Sequence, residues 1–294
     1  MRPQHLALML LCQFIWGVNF VAAKIGLAHF EPLFFVALRF SLVALLLLPI
    51  VGLPRRKFLQ LLPLSLTMGA MHFGLIFTGM RYLDAATSSI AVQLQVPFAA
   101  ILAAVFFKET LGWRRLLGMG VAFAGVVLIA GEPRFSGGNL WPLLSVIGAA
   151  LVWAIANVQV KALGEEFDAV TLNGYIAILA APQLLLVSFL IEGNQWPAVA
   201  GVGLAGWGAL LFQSVIVAIF SYWIWYNMMR RYPVNQVMPF TLLLPMVGVI
   251  SGHLILDEAI TWQMILGGLA TVAGVAIVVI RRPAVVAPST KTGI

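Results

Sequence analysis

The sequence predicts an all-α integral membrane protein: ten transmembrane helices forming two five-helix inverted repeats, with both termini cytoplasmic. Three observations carry this. Hydrophobic residues make up 62% and charged residues 9% of the 294 residues, and the mean hydropathy is +1.03, far from the composition of a soluble domain. Ten apolar runs have roughly the 20 residues that carry a helix across about 30 Å of hydrocarbon. The basic residues collect in alternate loops. A transmembrane barrel would show alternating segments of about ten residues, and none is seen.

The first half reads as runs over 6–27, 33–53, 59–80, 85–107 and 116–131. Run one is too long for the apolar stretch of a secretory signal and lacks a small-residue cleavage site. It also carries the single Cys12, so no intrachain disulfide forms. Pro97 falls within run four, where it frees a backbone carbonyl and marks a hinge. Gly118, Ala122 and Gly125 in run five leave space for close helix packing, within the chain or across a dimer.

The second half reads as runs over 140–160, 169–191, 204–229, 234–256 and 260–280. Phe220, Tyr222, Trp223, Trp225 and Tyr226 approach the inner end of run eight, where an interfacial aromatic belt belongs. Pro245 repeats the Pro97 hinge in run nine, and Gly267, Thr271 and Gly274 repeat the small residues in run ten. No connection exceeds 12 residues, so the work is done inside the bilayer. The stretch 283–294 reads as a disordered tail.

With the N-terminus inside, thirteen basic residues, among them Arg55, Arg56, Lys57 and Lys108, lie in inside segments against Arg81 and Arg134 outside. That bias fixes the orientation. The net charge of +7 therefore reports topology and gives no reason to expect a nucleic-acid partner. Lys24 and Arg39 lie within runs. Lys24, near a helix C-terminus, reads either as a snorkelling anchor or, with Lys161, as the lining of a vestibule that attracts carboxylates.

The halves are copies. Glu109, Trp113, Gly118 and Gly125 recur 149 positions later as Glu258, Trp262, Gly267 and Gly274, and Trp16 to Lys24 recurs as Trp153 to Lys161. Five spans is an odd number, so the second copy starts on the opposite side of the membrane. Such inverted repeats belong chiefly to carriers with a site near the midplane. Glu109 and Glu258 each follow a helix in a tight turn, where an acidic residue caps the next one.

Trp16-Gly17-Val18-Asn19-Phe20-Val21, Lys24, Pro32 and Leu38-Arg39-Phe40, with Pro97, Glu109 and the glycine-rich fifth run, resemble the EamA domain of the drug/metabolite transporter superfamily. The likeness covers 1–131 as one repeat and 140–282 as a second. The sequence resembles exporters of cysteine and O-acetylserine and, more distantly, is similar to aromatic amino-acid exporters. The resemblance implies a central cavity formed by helices 1, 3, 4, 6, 8 and 9, working by alternating access. Small multidrug exporters of the superfamily carry a glutamate mid-helix 1; here Phe14 to Val18 holds no carboxylate.

Polar side chains inside a membrane are costly and face the bundle interior. Trp16, Asn19, His72, Gln93, Trp153 and Asn157 are the expected substrate-binding residues. Gln183, Gln213 and Ser214 are also central, and Gln95 points away from the Gln93 face. Aromatic walls suit an apolar side chain, and amides and imidazole suit an ammonium or carboxylate. For His72, Asn19 and Asn157, plain interhelical hydrogen bonding is the competing reading. All ten carboxylates fall in loops or at helix ends.

The expected function is export of amino acids and related small metabolites at the inner, cytoplasmic membrane, uncoupled and with no cofactor, metal or catalytic residue. Its partners are a small-molecule substrate and membrane lipid, with the chain as monomer or homodimer. Two alternatives stand: proton-coupled efflux through His72, and an intramembrane enzyme. No H-E-x-x-H or G-x-S-x-G motif supports the latter.

Overall fold

The computed structural model describes residues 1–54, 57–107, 111–131, 139–163, 167–232 and 234–280. Arg55, Arg56, Lys108, Glu109, Arg134 and the 283–294 tail fall outside them, as does the side chain of Tyr226. Among the described residues there is no strand, and ten helices are long and apolar enough to cross a membrane. They are α1 (Pro3–Leu27), α2 (Pro32–Val51), α3 (Phe58–Tyr82), α4 (Ala85–Phe106), α5 (Trp113–Ala130), α6 (Trp141–Leu163), α7 (Ala169–Ile191), α8 (Leu204–Trp225), α9 (Pro239–Leu256) and α10 (Trp262–Val279). Each overlaps one of the apolar runs.

Helix starts follow local chemistry. Proline opens α1 and α2, where a missing N–H costs nothing. The next two amides of α2, Leu33 and Phe34, donate to Glu192 at 2.7 and 2.9 Å. Asp168 caps its own helix α7 through Val170 and Thr171. Glu258 corrects an expectation: it caps α4, accepting from Ala85 and Ala86 at 2.6 and 2.9 Å, and not the helix that follows it. The cause is local. Asp257 is left-handed at φ 54 and ψ 31, which turns the chain back over Gly252, where a Cβ would lie 2.5 Å from the Glu258 carboxylate.

Lys24 is likewise committed. Its Nζ donates to the carbonyls of Met80 at 2.9 Å and Arg81 at 3.3 Å, closing the C-terminus of α3. Arg81 meets Glu31 in a two-pronged pair at 2.6 and 2.8 Å. This end of the bundle is therefore laced together by side chains of α1 and of the segments after α1, α7 and α9. Lys161 lies exposed near the end of α6.

The small-residue motifs of α5 and α10 meet each other within one chain. A Cβ at Gly118 would lie 2.8 Å from the Gly274 carbonyl, and one at Gly267 would lie 2.5 Å from the Gly125 carbonyl. The helices run antiparallel, and exchanging 118 for 267 and 274 for 125 turns one contact into the other. Thr271 adds a bond to Ala122 O at 3.4 Å.

Among the described residues, four helices are irregular. A π-helical stretch occupies Ser65–Met71 in α3 and Phe212–Ser221 in α8. A 3-10 stretch occupies Val92–Leu94 in α4 and Met238–Leu242 at the start of α9. Pro97 and Pro245 each follow the latter kind by three residues, where the ring pushes the preceding turn out of register.

Candidate functional site

Three of the four irregular stretches hand the chain directly to a residue of the interior. His72 follows the π segment of α3, Tyr222 that of α8, and Gln95 the 3-10 segment of α4. π-bulges favour functional sites because they re-aim the next side chain. His72, Tyr222 and Gln95 border one hollow of about 110 Å³ at mid-bundle, together with Trp16, Asn19, Arg39 and Trp153. Leu244 of α9 completes a lining drawn from α1, α3, α4, α6, α8 and α9, with α2 adding Arg39.

Four expected residues, Trp16, Asn19, His72 and Trp153, meet here. The Trp16 Nε1 donates to Ser221 Oγ at 2.6 Å, and its ring packs on Tyr222 and Trp225 at 5.4 and 5.0 Å. His72 lies 4.8 Å from the Trp153 ring and 4.7 Å from Phe73. Its Nδ1 is 2.8 Å from the Ala149 carbonyl. A carbonyl only accepts, so Nδ1 carries the proton and a neutral ring has Nε2 left as acceptor. The interhelical bond and the cavity position hold together. Asn19 takes Gln213 on its backbone carbonyl at 3.2 Å, while its side-chain Oδ1 is buried without a partner.

Two expected residues lie elsewhere. Gln93 is fully buried, and its Nε2 donates to Thr241 O at 3.2 Å. Thr241 is four residues before Pro245, whose missing N–H releases that carbonyl. Gln93 thus ties α4 to the break in α9, and the 3-10 turn rotates Gln95 into the hollow in its stead. Asn157 is exposed, and its amide bonds back to Trp153 O at 2.9 Å within its own helix.

The sequence reading missed Arg39, Tyr222, Phe73 and Gln95. Arg39 was visible as an ionisable side chain inside an apolar run, which is by itself a functional signal. By sequence Tyr222 reads as part of an interfacial aromatic belt, which the structure divides. Phe220 and Trp223 are 39% and 51% exposed, whereas Tyr222 is half-buried against the Trp16 ring and Trp225 is 9% exposed. The odd geometry of the π segment sends Tyr222 inward, and no hydropathy pattern encodes it. Gln183, expected to be central, bonds Ser65 Oγ at 2.8 Å.

Among the described residues, ten helices are able to cross a membrane and seven of them border a buried aromatic and polar hollow, an arrangement that suits a membrane transporter. The chain belongs to the EamA-like transporter family, whose model matches residues 5–131 and again 140–280. It is 30% identical over 275 residues to a probable amino-acid metabolite efflux pump of Salmonella typhimurium, covering 91% of this chain and 92% of that protein. It is 29% identical to a probable amino-acid metabolite efflux pump of Escherichia coli, covering 91% and 92%, and 27% identical to an uncharacterized transporter of Bacillus subtilis, covering 89% and 91%. A solved crystal structure shares the fold with a TM-score of 0.64 at 15% identity, covering 94% of this chain and 96% of that one.

Proposed function

We propose that this transporter exports amino acids and related small metabolites across the inner, cytoplasmic membrane by alternating access, as facilitated movement not coupled to protons. The observation that carries the reading is the hollow itself. It is enclosed at mid-depth by side chains from both matched segments, with Trp16, Asn19 and His72 from one and Trp153 and Tyr222 from the other. Aromatic walls with a few polar atoms suit a small amphiphilic solute. The names of the two efflux pumps agree with that class.

Inverted halves supply the mechanism. The repeated spacing, the paired π segments in α3 and α8, the paired 3-10 segments in α4 and α9, and the antiparallel α5–α10 contact all support a two-fold axis in the membrane plane. The positive-inside bias supports cytoplasmic termini. The Lys24 end is then outermost, and its links, Glu258 to α4 and Lys24 to α3, must part when the hollow opens outward. Trp16, Asn19, His72 and Trp153 remain the substrate-binding residues of this reading, with Gln93 and Asn157 supporting the helices.

Among the described residues no carboxylate borders the hollow, and the one His there already spends Nδ1 on Ala149. Intramembrane proton relays use Asp, Glu or His chains, so the uncoupled mode fits best. Counterflow of labelled neutral amino acids in proteoliposomes tests this. Exchange that persists when the pH gradient is collapsed is the expected result, and strict dependence on the gradient would replace it with proton exchange through His72. Chemical conversion of the solute would mark an enzyme.

A further inference from the structure

Arg39 is a charged side chain buried inside an apolar helix. It lies in α2, is 2% exposed, and faces both the central hollow and a smaller adjoining one of about 30 Å³. Its Nε and Nη1 have no hydrogen-bond partner, and among the described residues no carboxylate pairs with it. The guanidinium stacks over Phe73 at 4.4 Å and is 5.8 Å from Phe40. Such stacking offsets only a small part of the cost of taking a charged group out of water. A guanidinium does not shed its proton to escape that cost.

Packing does not demand this residue. The spacing that lays Trp16 to Lys24 on Trp153 to Lys161 lays Arg39 on Ile176. Ile176 is buried and borders the same smaller hollow. The second half therefore builds the corresponding helix with an apolar side chain there. The charge belongs to one half only, next to the hollow.

We infer that Arg39 anchors the carboxylate of the transported solute, with the unpartnered Oδ1 of Asn19 receiving its ammonium group. The inference rests on the transporter reading of this hollow. Donors on one wall and an acceptor on another are the complement of a zwitterion, and Phe73 and Trp153 are left to contact its side chain. The solute class is then neutral amino acids and other small monocarboxylates. Organic cations are excluded, because a buried positive charge without a counter-ion repels them.

The test uses the full chain in lipid nanodiscs and equilibrium binding of neutral L-amino acids from alanine to phenylalanine, each matched with its own carboxamide. Wild type should prefer acid over amide by at least about tenfold for its best ligand, the size of a lost charge-assisted hydrogen bond. R39Q should erase that preference, while R39K retains part of it as a point charge. A merely structural role would lower the bound fraction and leave the acid-to-amide ratio unmoved. Equal binding of acid and amide by wild type, or an unchanged ratio in R39Q, overturns the inference. Should R39Q not fold, the wild-type ratio and R39K still decide. Counterflow on the same protein separates the two claims. Exchange without acid preference leaves the transporter and removes the anchor, whereas Arg39-dependent binding without exchange does the reverse.

Discussion

Along the α5–α10 seam, Gly118, Gly125, Gly267 and Gly274 bring two backbones so close that an added Cβ would strike a carbonyl oxygen. Around the central hollow the helices stand apart, and the rings of Trp16, His72, Phe73 and Trp153 fill what lies between. The seam is built by removing side chains and the hollow by enlarging them. Lipid offers helices no hydrophobic incentive to associate, so close packing must supply the adhesion. The seam has little room to move, while the hollow is bordered by helices whose regular hydrogen bonding is already interrupted.

The seam is the more easily disrupted of the two regions. Gly125→Leu or Gly274→Leu forces a side chain against the facing backbone, which cannot yield as a side-chain tip can. Each should cost more than about 3 kcal/mol and abolish folded protein on size exclusion in detergent. Gly120, on the same helix with no atom within 4 Å of its added Cβ, should accept leucine within about 1 kcal/mol. Equal tolerance at the three positions would remove the seam from the account.

At the hollow the expectation reverses. His72→Ala and Trp153→Ala should lower counterflow by about tenfold or more, the effect of losing one well-placed contact, with folded yield close to wild type. Full activity in both variants would take these residues out of the site.

How much of each region the sequence discloses follows from the same contrast. The seam depends on residue size at helical spacing, and Gly118, Gly125, Gly267 and Gly274 stand in the chain at legible intervals. The ten spans are equally legible, because their length and apolarity are dictated by the bilayer. The hollow depends on where regular helix fails. Straight helical geometry groups Gln93 with Pro97 and turns Gln95 away; the 3-10 turn at Val92–Leu94 reverses that. The π segment before Tyr222 likewise converts an apparent interfacial tyrosine into a lining residue. Glu258 capping α4 depends on tertiary proximity, which spacing alone does not give.

The smallest expected effect lies away from both regions. Asp168 caps α7, and the Thr171 hydroxyl, then the Thr171 amide, hold its carboxyl below the ordinary carboxylate range. A depressed carboxylate stabilises the fold above its unfolded-state pKa and loses that contribution as pH falls through the lower folded value. Asp168→Ala should therefore cost about 1 kcal/mol at neutral pH, with the gap to wild type fading below about pH 4 in thermal unfolding. A gap independent of pH would show that the carboxylate is not the cap.

Leu111 and Ile260 hold the same place in the two copies, 149 residues apart, and the native Cys12 is buried. A membrane-impermeant thiol reagent applied to intact cells carrying Leu111→Cys or Ile260→Cys reads their sides directly. Labelling is expected at 260 without treatment and at 111 only after the membrane is opened. Labelling of both from one side would place the halves parallel and contradict the alternation of the hollow between the two faces.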